Sequence, residues 1–245
     1  MKNRPLLLIG AILLAGACTK KTVLPEFETR AVDTLLAGDG NSCKVEYRFA
    51  SIRNTPESPT LAAIEQANIG YFFQLEDFSG TIDQAVTASL TDLQTNCLLP
   101  DAGPTGREFE VSVESEASVV DSLLGYTITR ASYTGGAHGM YGTECHTYSL
   151  HDGFELSLSD LFSEKALQRL DTLIREKIAV QYNATTDEEL SRAGFFPEYI
   201  APTENFRITP EGITFYYNPY DIGCYALGAV DVALSREELM QLRAQ

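Results

Sequence analysis

The sequence predicts an α+β fold with a largely antiparallel sheet, helices packed on one face and two sub-regions. Two observations lead to this prediction. Segments that alternate apolar and polar residues follow one another across short turns, as antiparallel strands do. Other segments repeat apolar residues at three- and four-residue steps, as helices do. Because the strongest strands are consecutive, a doubly wound parallel fold is disfavoured.

The N-terminal sub-region, residues 43–120, is predicted to begin with a strand and two helices. The segment CKVEYRFASI alternates from Cys43 onward and predicts the strand. Apolar residues recur at helical spacing from Thr60 and predict the first helix. Thr81 and Gln84 have the spacing of a capping box at the start of the second helix.

The segment REFEVSVESEA is the clearest strand of the chain. Phe109 and Val113 lie on one face, whereas Glu110 and Glu114 lie on the other. A period of two with glutamates on one side predicts one face on the core and one in water. The glutamate row could also attract a cation or a basic partner, but a solvated face that resists edge aggregation is the simpler interpretation.

The C-terminal sub-region, residues 121–245, is predicted to mix strands and helices. The segments GYTITRASY and TECHTYSL predict strands on either side of the loop TGGAHGMYG. Ser163 and Thr186 have the positions of N-caps for two helices, and short strands follow Pro202. Ser235 begins a last capping box, which predicts a C-terminal helix.

Residues 1–17 have the layout of a secretory signal peptide. Lys2 and Arg4 precede the apolar run PLLLIGAILLAGA, and Cys18 follows that run directly. Small residues before a cysteine resemble the bacterial lipobox, in which the signal is cleaved and the cysteine carries lipid such as palmitate. An ordinary secretory signal with a coincidental cysteine is the alternative. Both interpretations place the protein outside the cytoplasm, with residues 18–42 as a tether.

Four cysteines remain if Cys18 is lipidated, namely Cys43, Cys97, Cys145 and Cys224. An even number in an oxidising compartment predicts two disulfides. Four cysteines allow three connectivities, of which the pairs Cys43–Cys97 and Cys145–Cys224 close the shorter loops. No two of these cysteines are close enough in sequence to indicate a zinc knuckle or a redox pair.

The chain is strongly acidic. It has 34 acidic and 18 basic residues, which gives a formal net charge of −16 at pH 7. Loss of the signal peptide would remove Lys2 and Arg4, so the mature charge would be 16 − 34, or about −18. Such a charge disfavours nucleic acid and bare anionic lipid headgroups as partners. It attracts basic partners, or it simply keeps an envelope protein soluble.

Three histidines lie close together in the sequence, at His138, His146 and His151. Their spacing matches no compact metal-binding motif, so neither a metal nor a cofactor is predicted. A zinc site formed by His138, His146 and Glu144 is the alternative. The sequence contains no nucleophile elbow and no phosphate-binding loop, so no catalytic residue is assigned and a non-enzymatic role is favoured.

Tyrosines crowd the second half of the chain. A tyrosine offers a rigid ring and one hydrogen bond, which suits a surface that binds a protein or a sugar. Half-buried tyrosines are also common in sheets, which is the plainer interpretation. The candidate ligand-binding residues are His138, Tyr141, Tyr216, Tyr217, Tyr220 and Tyr225.

Three segments carry a family resemblance: YTGGAHG at residues 133–139, LSDLF at 158–162, and FYYNPYDIG with the following YALG within 215–228. In this order they resemble the extracytoplasmic module of the lysozyme-sensing anti-sigma factor RsiV, which also precedes the catalytic domain of the peptidoglycan deacetylase PdaC. The resemblance covers nearly all of the mature chain. It implies a domain of unknown function without established catalytic residues, and neither the sigma-binding segment nor the deacetylase domain is expected here.

The resulting hypothesis is an envelope lipoprotein that binds a lysozyme-like protein or peptidoglycan fragments without catalysis. One alternative is a cell-wall glycan hydrolase or deacetylase-type enzyme that uses His138 with carboxylates. Another is a structural lipoprotein subunit. Lys20 and Lys21 follow the lipid site without an acidic retention signal, which resembles outer-membrane lipoproteins and predicts an anchor that faces the periplasm.

Overall fold

A computed structural model of the protein describes residues 22–98 and 106–243. The signal peptide predicted for residues 1–17 and the lipidation predicted at Cys18 lie outside these residues. Across the described ranges, no helix has both the length and the apolar character needed to cross a bilayer. The structure confirms the α+β prediction, with a five-stranded, mostly antiparallel sheet and a second sheet of three strands.

The five strands of the first sheet are neighbours in chain order: β1 (Phe27–Gly38), β2 (Asn41–Ile52), β3 (Glu108–Val120), β4 (Leu123–Tyr133) and β5 (Met140–Ser149). Neighbouring strands are antiparallel except for β2 and β3, which are parallel. Parallel neighbours need a long crossover connection. Here the crossover contains the helices α1 (Pro59–Phe73) and α2 (Ile82–Leu98).

The two helices cover the sheet face that the alternating pattern marks as apolar. Phe109 and Val113 of β3 are 4% and 5% exposed and belong to the same buried cluster as Leu61 of α1. Glu110 and Glu114, on the opposite face of β3, are exposed. The glutamate row is therefore the solvent side of this sheet.

The second sheet and its helices follow β5 in the chain. Their order is α3 (Leu158–Leu161), α4 (Glu164–Gln181), α5 (Asp187–Arg192), β6 (Phe206–Thr209), β7 (Gly212–Tyr217), β8 (Val230–Ser235) and α6 (Arg236–Arg243). The three strands are antiparallel in the order β6–β7–β8. One face of α4, with Leu170, Ile174 and Ile178, is buried in the same cluster as Phe215 and Val232 of this sheet.

Helix starts in both parts are capped where the sequence predicts caps. The backbone N–H of Thr81 donates to Gln84 Oε1 over 2.9 Å, and the N–H of Gln84 donates to Thr81 Oγ1 over 3.3 Å. The Ser163 hydroxyl accepts from the N–H of Ala166 at the start of α4. Such caps satisfy backbone donors that a helix start otherwise leaves unpaired.

The boundary between the two buried cores lies later than the sequence predicts. The first core ends with Leu150 and the second begins with Leu158, whereas the predicted sub-regions meet between residues 120 and 121. That position falls inside the β3–β4 hairpin, where Val120 pairs with Leu123. Residues 121–150 belong to the first part because the apolar side chains of β4 and β5 complete the sheet face beneath α1.

The predicted tether, residues 18–42, is also corrected. Its described part contains β1, which pairs with β2 along its full length, from Phe27 opposite Ile52 to Gly38 opposite Asn41. Most side chains of β1 are exposed because it is an edge strand, so its alternation is weak in the sequence.

Two asparagines join the first sheet to the second part of the chain. Asn205 Oδ1 accepts from the N–H of Cys145 over 2.9 Å, and Asn205 Nδ2 donates to the carbonyls of Thr143 and Tyr216. Asn218 accepts from the N–H of Thr143 over 2.7 Å and donates to its carbonyl over 2.9 Å. These amides bond the outer edge of β5, where a sixth strand would otherwise pair.

The disulfide pairing predicted for Cys145 and Cys224 is not formed in the structure, where both residues carry free thiols. Cys145 is buried in β5, its Sγ lies 3.8 Å from Thr127 Oγ1, and burial raises the pKa of this thiol to about 11. Cys43 is buried in the first core. The side chain of Cys97 lies outside the described residues, so the Cys43–Cys97 disulfide stays a prediction.

Candidate functional site

Four of the six predicted binding residues come together at one end of β5. The rings of His138 and Tyr225 are stacked, with centroids 3.9 Å apart and an interplanar angle of 21°. Tyr220 lies 5.6 Å from the Tyr225 ring and Tyr141 lies 6.2 Å from it. We call His138, Tyr141, Tyr220 and Tyr225 the aromatic patch.

The glycine-rich loop between β4 and β5 holds His138 in place. Gly135 and Gly136 have φ values of 90° and 105°, which side chains other than glycine rarely adopt. The Tyr133 hydroxyl donates to the carbonyl of Gly136 over 3.2 Å, and the Tyr225 hydroxyl donates to the carbonyl of Gly139 over 2.7 Å. Two hydrogen bonds therefore fix the loop, and the one from Tyr225 connects it to the patch.

Tyr220 sits in a strained turn between β7 and β8. Its φ is 79°, which is rare for an aromatic residue. The turn is closed by Asp221, whose carboxylate accepts from the N–H of Asn218 over 2.7 Å and whose own N–H donates to the Asn218 carbonyl. The Tyr220 ring is also 53% exposed. An exposed aromatic residue in an unfavourable backbone conformation does not favour stability, which indicates a functional role.

Large apolar side chains are unusually exposed around this loop. Met140 is 50% exposed, and Tyr133 and Tyr141 are each 43% exposed. Exposed apolar area that is concentrated in one region marks interaction sites in soluble proteins. The patch thus combines rigid rings, hydrogen-bonding hydroxyls and solvent access.

The other two predicted binding residues lie elsewhere. Tyr217 is only 3% exposed, and its hydroxyl donates to the carbonyl of Ala201 over 2.7 Å, so it is part of the second core. Tyr216 points to the opposite face of β7, is half-buried, and is close to Arg207. Successive residues of a strand face opposite sides, so these two tyrosines could not both belong to one surface.

A second cluster of polar side chains, which we call the His146 cluster, lies further along β5. Nδ1 of His146 is 2.7 Å from Glu155 Oε1, and Nε2 is 3.1 Å from Glu144 Oε1. The His146 ring stacks on Tyr71 of α1 at a centroid distance of 3.8 Å. The Tyr71 hydroxyl donates to Glu155 Oε2 over 2.8 Å.

Arg130 ties this cluster to the end of α1. Its guanidinium donates to the carbonyls of Phe72 and Tyr71 and lies 3.4 Å from Glu144 Oε2. The last carbonyls of a helix have no partners within the helix, and a cation is favourable there. Arg130 therefore satisfies the C-terminal end of α1 and holds Glu144 beside it.

The charges of the His146 cluster stabilise one another. Burial lowers the pKa of His146, but the hydrogen bonds to Glu144 and Glu155 outweigh that effect and raise the pKa above 6.5. Burial raises the pKa of both carboxyls, but the hydrogen bonds and charge of His146 outweigh it and leave both pKa values below 4.5. Burial and Glu155 raise the pKa of Tyr71 to about 12, so its hydroxyl stays a donor.

The zinc site considered for His138, His146 and Glu144 is not assembled. Nδ1 of His138 faces the carbonyl of Gly139 at 2.9 Å, while both ring nitrogens of His146 already face carboxylates. Among residues 22–98 and 106–243, no group of three or more metal-binding side chains is suitably placed.

Two clefts flank Glu144. One has a volume of about 490 Å³ and lies at the C-terminal end of α1, and we call it the α1 cleft. The other has a volume of about 340 Å³ and extends along β5 to Met140 and Tyr141. Gln74 and Glu144 line both, so the two clefts adjoin, and the second one reaches the aromatic patch.

Residues 159–237 match the model of a family described as a protein of unknown function, DUF3298. The chain carries a DUF3298 domain. A crystal structure of a DUF3298 family member from Bacteroides fragilis NCTC 9343 is similar to it, with 27% identity, a TM-score of 0.76, and coverage of 89% of this chain and 93% of that one. No curated protein matches the chain.

A DUF3298 family protein from Pseudomonas aeruginosa PAO1 is similar in fold alone, with 16% identity and a TM-score of 0.62 over 89% of this chain and 94% of that chain. The DUF3298 match begins in α3 and ends in α6, so it includes Tyr220 and Tyr225 but not His138 or Tyr141. The aromatic patch is therefore built where the DUF3298 stretch meets the β4–β5 loop.

The sequence shows only part of the His146 cluster. Glu144 and His146 are two residues apart on a predicted strand, so their shared face could be seen in the sequence. Tyr71, Arg130 and Glu155 reach the cluster through tertiary packing, and no spacing pattern indicates them.

Proposed function

We propose that the protein is a recognition module of the bacterial cell envelope that binds a lysozyme-like protein or a cell-wall glycan through the aromatic patch. In this proposal Cys18 anchors the module by lipid to the outer membrane, facing the periplasm. The observation that carries the proposal is the set of partly exposed rings of His138, Tyr141 and Tyr220 around Tyr225.

The chemistry of the patch suits recognition. Tyrosine rings supply large contact area at a low cost in conformational entropy, and they are enriched at protein interfaces. Here the stacking on Tyr225 and the fixed loop hold the rings before any partner arrives. Preorganisation of this kind lowers the ordering cost of binding.

The charge of the chain supports a basic protein as the leading partner. A formal net charge of −16 attracts basic proteins and speeds their association at low salt. The resemblance of the loop and turn segments to a lysozyme-sensing module supports the same partner class. A glycan remains the second candidate because the rings could equally stack on sugar faces.

The geometry gives less support to a glycan-cleaving enzyme that uses His138. That histidine stacks on Tyr225, and Nδ1 faces the Gly139 carbonyl. No ion pair between His138 and a carboxylate is formed among the described residues. A structural lipoprotein subunit is the remaining alternative, and it would not need exposed rings.

Calorimetric titration of lysozyme, and separately of peptidoglycan fragments, into the purified protein tests the proposal. The Tyr141→Ala and Tyr220→Ala variants should weaken binding at least about tenfold, as removal of central aromatic residues does at interfaces. Tyr199→Ala is the matched control because Tyr199 is 64% exposed and lies outside the patch.

Salt separates specific recognition from charge attraction. Binding that survives high salt and is lost in both patch variants supports the proposal, since exposed charges are screened there. The proposal is wrong if neither lysozyme nor glycan binds, or if Tyr199→Ala weakens binding as much as the patch variants do.

A further inference from the structure

The α1 cleft is a preformed groove with apolar walls. Ala67 and Tyr71 of α1 form one side, and Leu75 and Phe78 of the following segment form the other. Gln66 connects the two sides, because its side chain donates to the carbonyl of Phe78 over 3.1 Å and accepts from the N–H of Gly80 over 3.3 Å. The groove is therefore held open by hydrogen bonds within the protein.

Every charged side chain that lines the α1 cleft is acidic. These side chains are Glu76, Asp77 and Glu144, and no basic side chain of the described residues lines the cleft. Glu76 and Asp77 are exposed at its rim, and the side chain of Glu144 is 43% exposed. The uncompensated negative charge of the groove is that of Glu76 and Asp77, because Arg130 and His146 pair with Glu144. An apolar groove with such a rim is complementary to a cation that has an apolar stem.

Glu144 retains capacity to accept further hydrogen bonds. One oxygen faces His146 Nε2 at 3.1 Å, and the other faces Arg130 at 3.4 Å, which is a long contact. A carboxylate has about four lone-pair sites, so lone pairs remain for a donor that enters the cleft. The carboxylate is also held in position by these two partners, and Tyr71 in turn stacks on His146.

We propose that the α1 cleft binds an arginine side chain of a basic protein partner. The aliphatic stem of that arginine lies between Leu75 and Phe78, and the guanidinium lies near the Tyr71 ring and donates to Glu144. Arginine suits such a site because it pairs with carboxylates and stacks on aromatic rings. The neighbouring cleft continues from Glu144 to Tyr141, so one partner can contact the α1 cleft and the aromatic patch together.

This inference rests on the proposed function, because it names how a protein partner engages the same face. A small probe separates the two, since it is too short to reach the aromatic patch. We would titrate Nα-acetyl-arginine methylamide into 15N-labelled protein and follow the backbone amide signals of Gly70 and Leu75 by NMR. The citrulline analogue has nearly the same shape without the charge and is the matched control probe.

The arginine probe should give saturable shifts at Gly70 and Leu75, and the citrulline probe should give much smaller ones. The double variant Glu76→Gln/Asp77→Asn should weaken the arginine probe about fivefold, as loss of two exposed charge pairs does. Asparagine tolerates the φ of 50° at position 77, so this variant keeps the cleft shape.

Two leucine variants test whether the probe enters the cleft. Ala67→Leu should block the probe because Ala67 lines the cleft. Ala63→Leu should not block it, because Ala63 is on an exposed part of α1 outside the lining.

Equal shifts from the two probes, or arginine binding that Ala67→Leu leaves unchanged, would overturn the cleft proposal. If lysozyme binds through the aromatic patch while the arginine probe gives no shifts, the cleft proposal fails and the proposed function stands. If the arginine probe binds but Tyr141→Ala and Tyr220→Ala leave partner binding unchanged, the aromatic patch fails as the recognition surface while the cleft stands.

Discussion

His146 links the two main layers of the first part of the protein. It lies on β5, stacks on Tyr71 of α1, and faces Glu144 and Glu155 through its two ring nitrogens. At 7% exposure, this ring can keep both hydrogen bonds only when it is protonated, because neutral imidazole has one donor. Its protonation state therefore affects the stability of the contact between helix and sheet.

The direction of the pH effect follows from the pKa shifts. The pKa of His146 is raised in the folded state, so its stabilisation is complete below about 6.5 and is lost as pH rises through the raised value. The pKa values of Glu144 and Glu155 are lowered, so their stabilisation is present above 4.5 and is lost as pH falls through the lowered values. The cluster stabilises the fold most between about pH 4.5 and 6.5.

We predict that His146→Gln lowers the free energy of unfolding by about 2 kcal/mol at pH 5.5 and by clearly less at pH 8.5. Urea unfolding at the two pH values measures both differences. His151→Gln is the control because His151 is exposed and should change stability little at either pH. Equal losses at pH 5.5 and pH 8.5 would show that the charge of His146 does not contribute.

Individual residues show where sequence patterns predict a site and where they do not. His138 and Tyr225 are far apart in the sequence, yet a glycine-rich loop and a turn of aromatic residues were sufficient to predict a shared surface. Tyr217 lies in the second core and away from this surface, because strand register decides which face a residue occupies and the sequence alone does not give the register. Arg130 was missed because an arginine within a strand carries no local signal of its partners.

The outer edge of β5 is the element that joins the two parts of the chain. Asn205 bonds the backbone at Thr143, Cys145 and Tyr216, which a neighbouring strand would otherwise do. Removal of this half-buried side chain takes the partner from the Cys145 N–H and the Tyr216 carbonyl, whereas the Thr143 carbonyl keeps its hydrogen bond from Asn218. The connection between the parts should therefore depend strongly on this one residue.

Asn205→Ala should lower the free energy of unfolding by about 3 kcal/mol and speed hydrogen exchange at the amide of Cys145. Denaturant unfolding and hydrogen exchange measured by NMR provide the two readouts. Asn96→Ala is the control, because Asn96 is exposed and its side chain bonds the side chain of Asp92 on the same helix. Unchanged exchange at Cys145 in Asn205→Ala would mean that the edge of β5 is held by other contacts.

The predicted disulfide between Cys43 and Cys97 would connect α2 to the β1–β2 hairpin. Leu98, at the end of α2, is 1% exposed, and a Cβ built on Gly38 would lie 3.4 Å from its Cβ. In the same hairpin Cys43 pairs with Leu36. The end of α2 and the start of β2 are thus brought to the same region of the fold.

If that disulfide forms, the denatured, unreduced and lipidated protein should show two reactive thiols, those of Cys145 and Cys224. Cys43→Ser should raise the count to three because it frees Cys97, whereas Cys145→Ser should lower it to one. A thiol-reactive dye measures each count. Four reactive thiols in the unsubstituted protein would contradict the disulfide.

Secondary structure was predictable where apolar periodicity was strong, as in β3 and α4. It was not predictable at β1, because an edge strand exposes most of its side chains and shows little alternation. The boundary between the parts was misplaced for a different reason. The β3–β4 pairing is a local hairpin, but whether β4 and β5 complete the first core depends on contacts between residues far apart in the sequence, which a local pattern does not indicate.

At the scale of the whole molecule, the position of β1 constrains how a lipid anchor would hold the protein. Residues 19–26 separate Cys18 from the start of β1 at Phe27. Even fully extended, a segment of that length spans only about 30 Å. An anchored module would therefore stay close to the membrane, with the first residue of β1 within about 30 Å of the lipid site.

The anchor itself is the last prediction. Cys18→Ser should remove incorporation of labelled palmitate and move the protein from the membrane fraction to the soluble fraction of the cell envelope, because the net negative charge of the module disfavours binding to anionic lipid headgroups without the lipid. Fractionation with an antibody against the protein measures the change, and Cys224→Ser is the control because its thiol is half-buried far along the chain. Cys18→Ser protein that stays in the membrane fraction would contradict a lipid anchor at this residue. It would favour the ordinary secretory signal together with attachment through another envelope component.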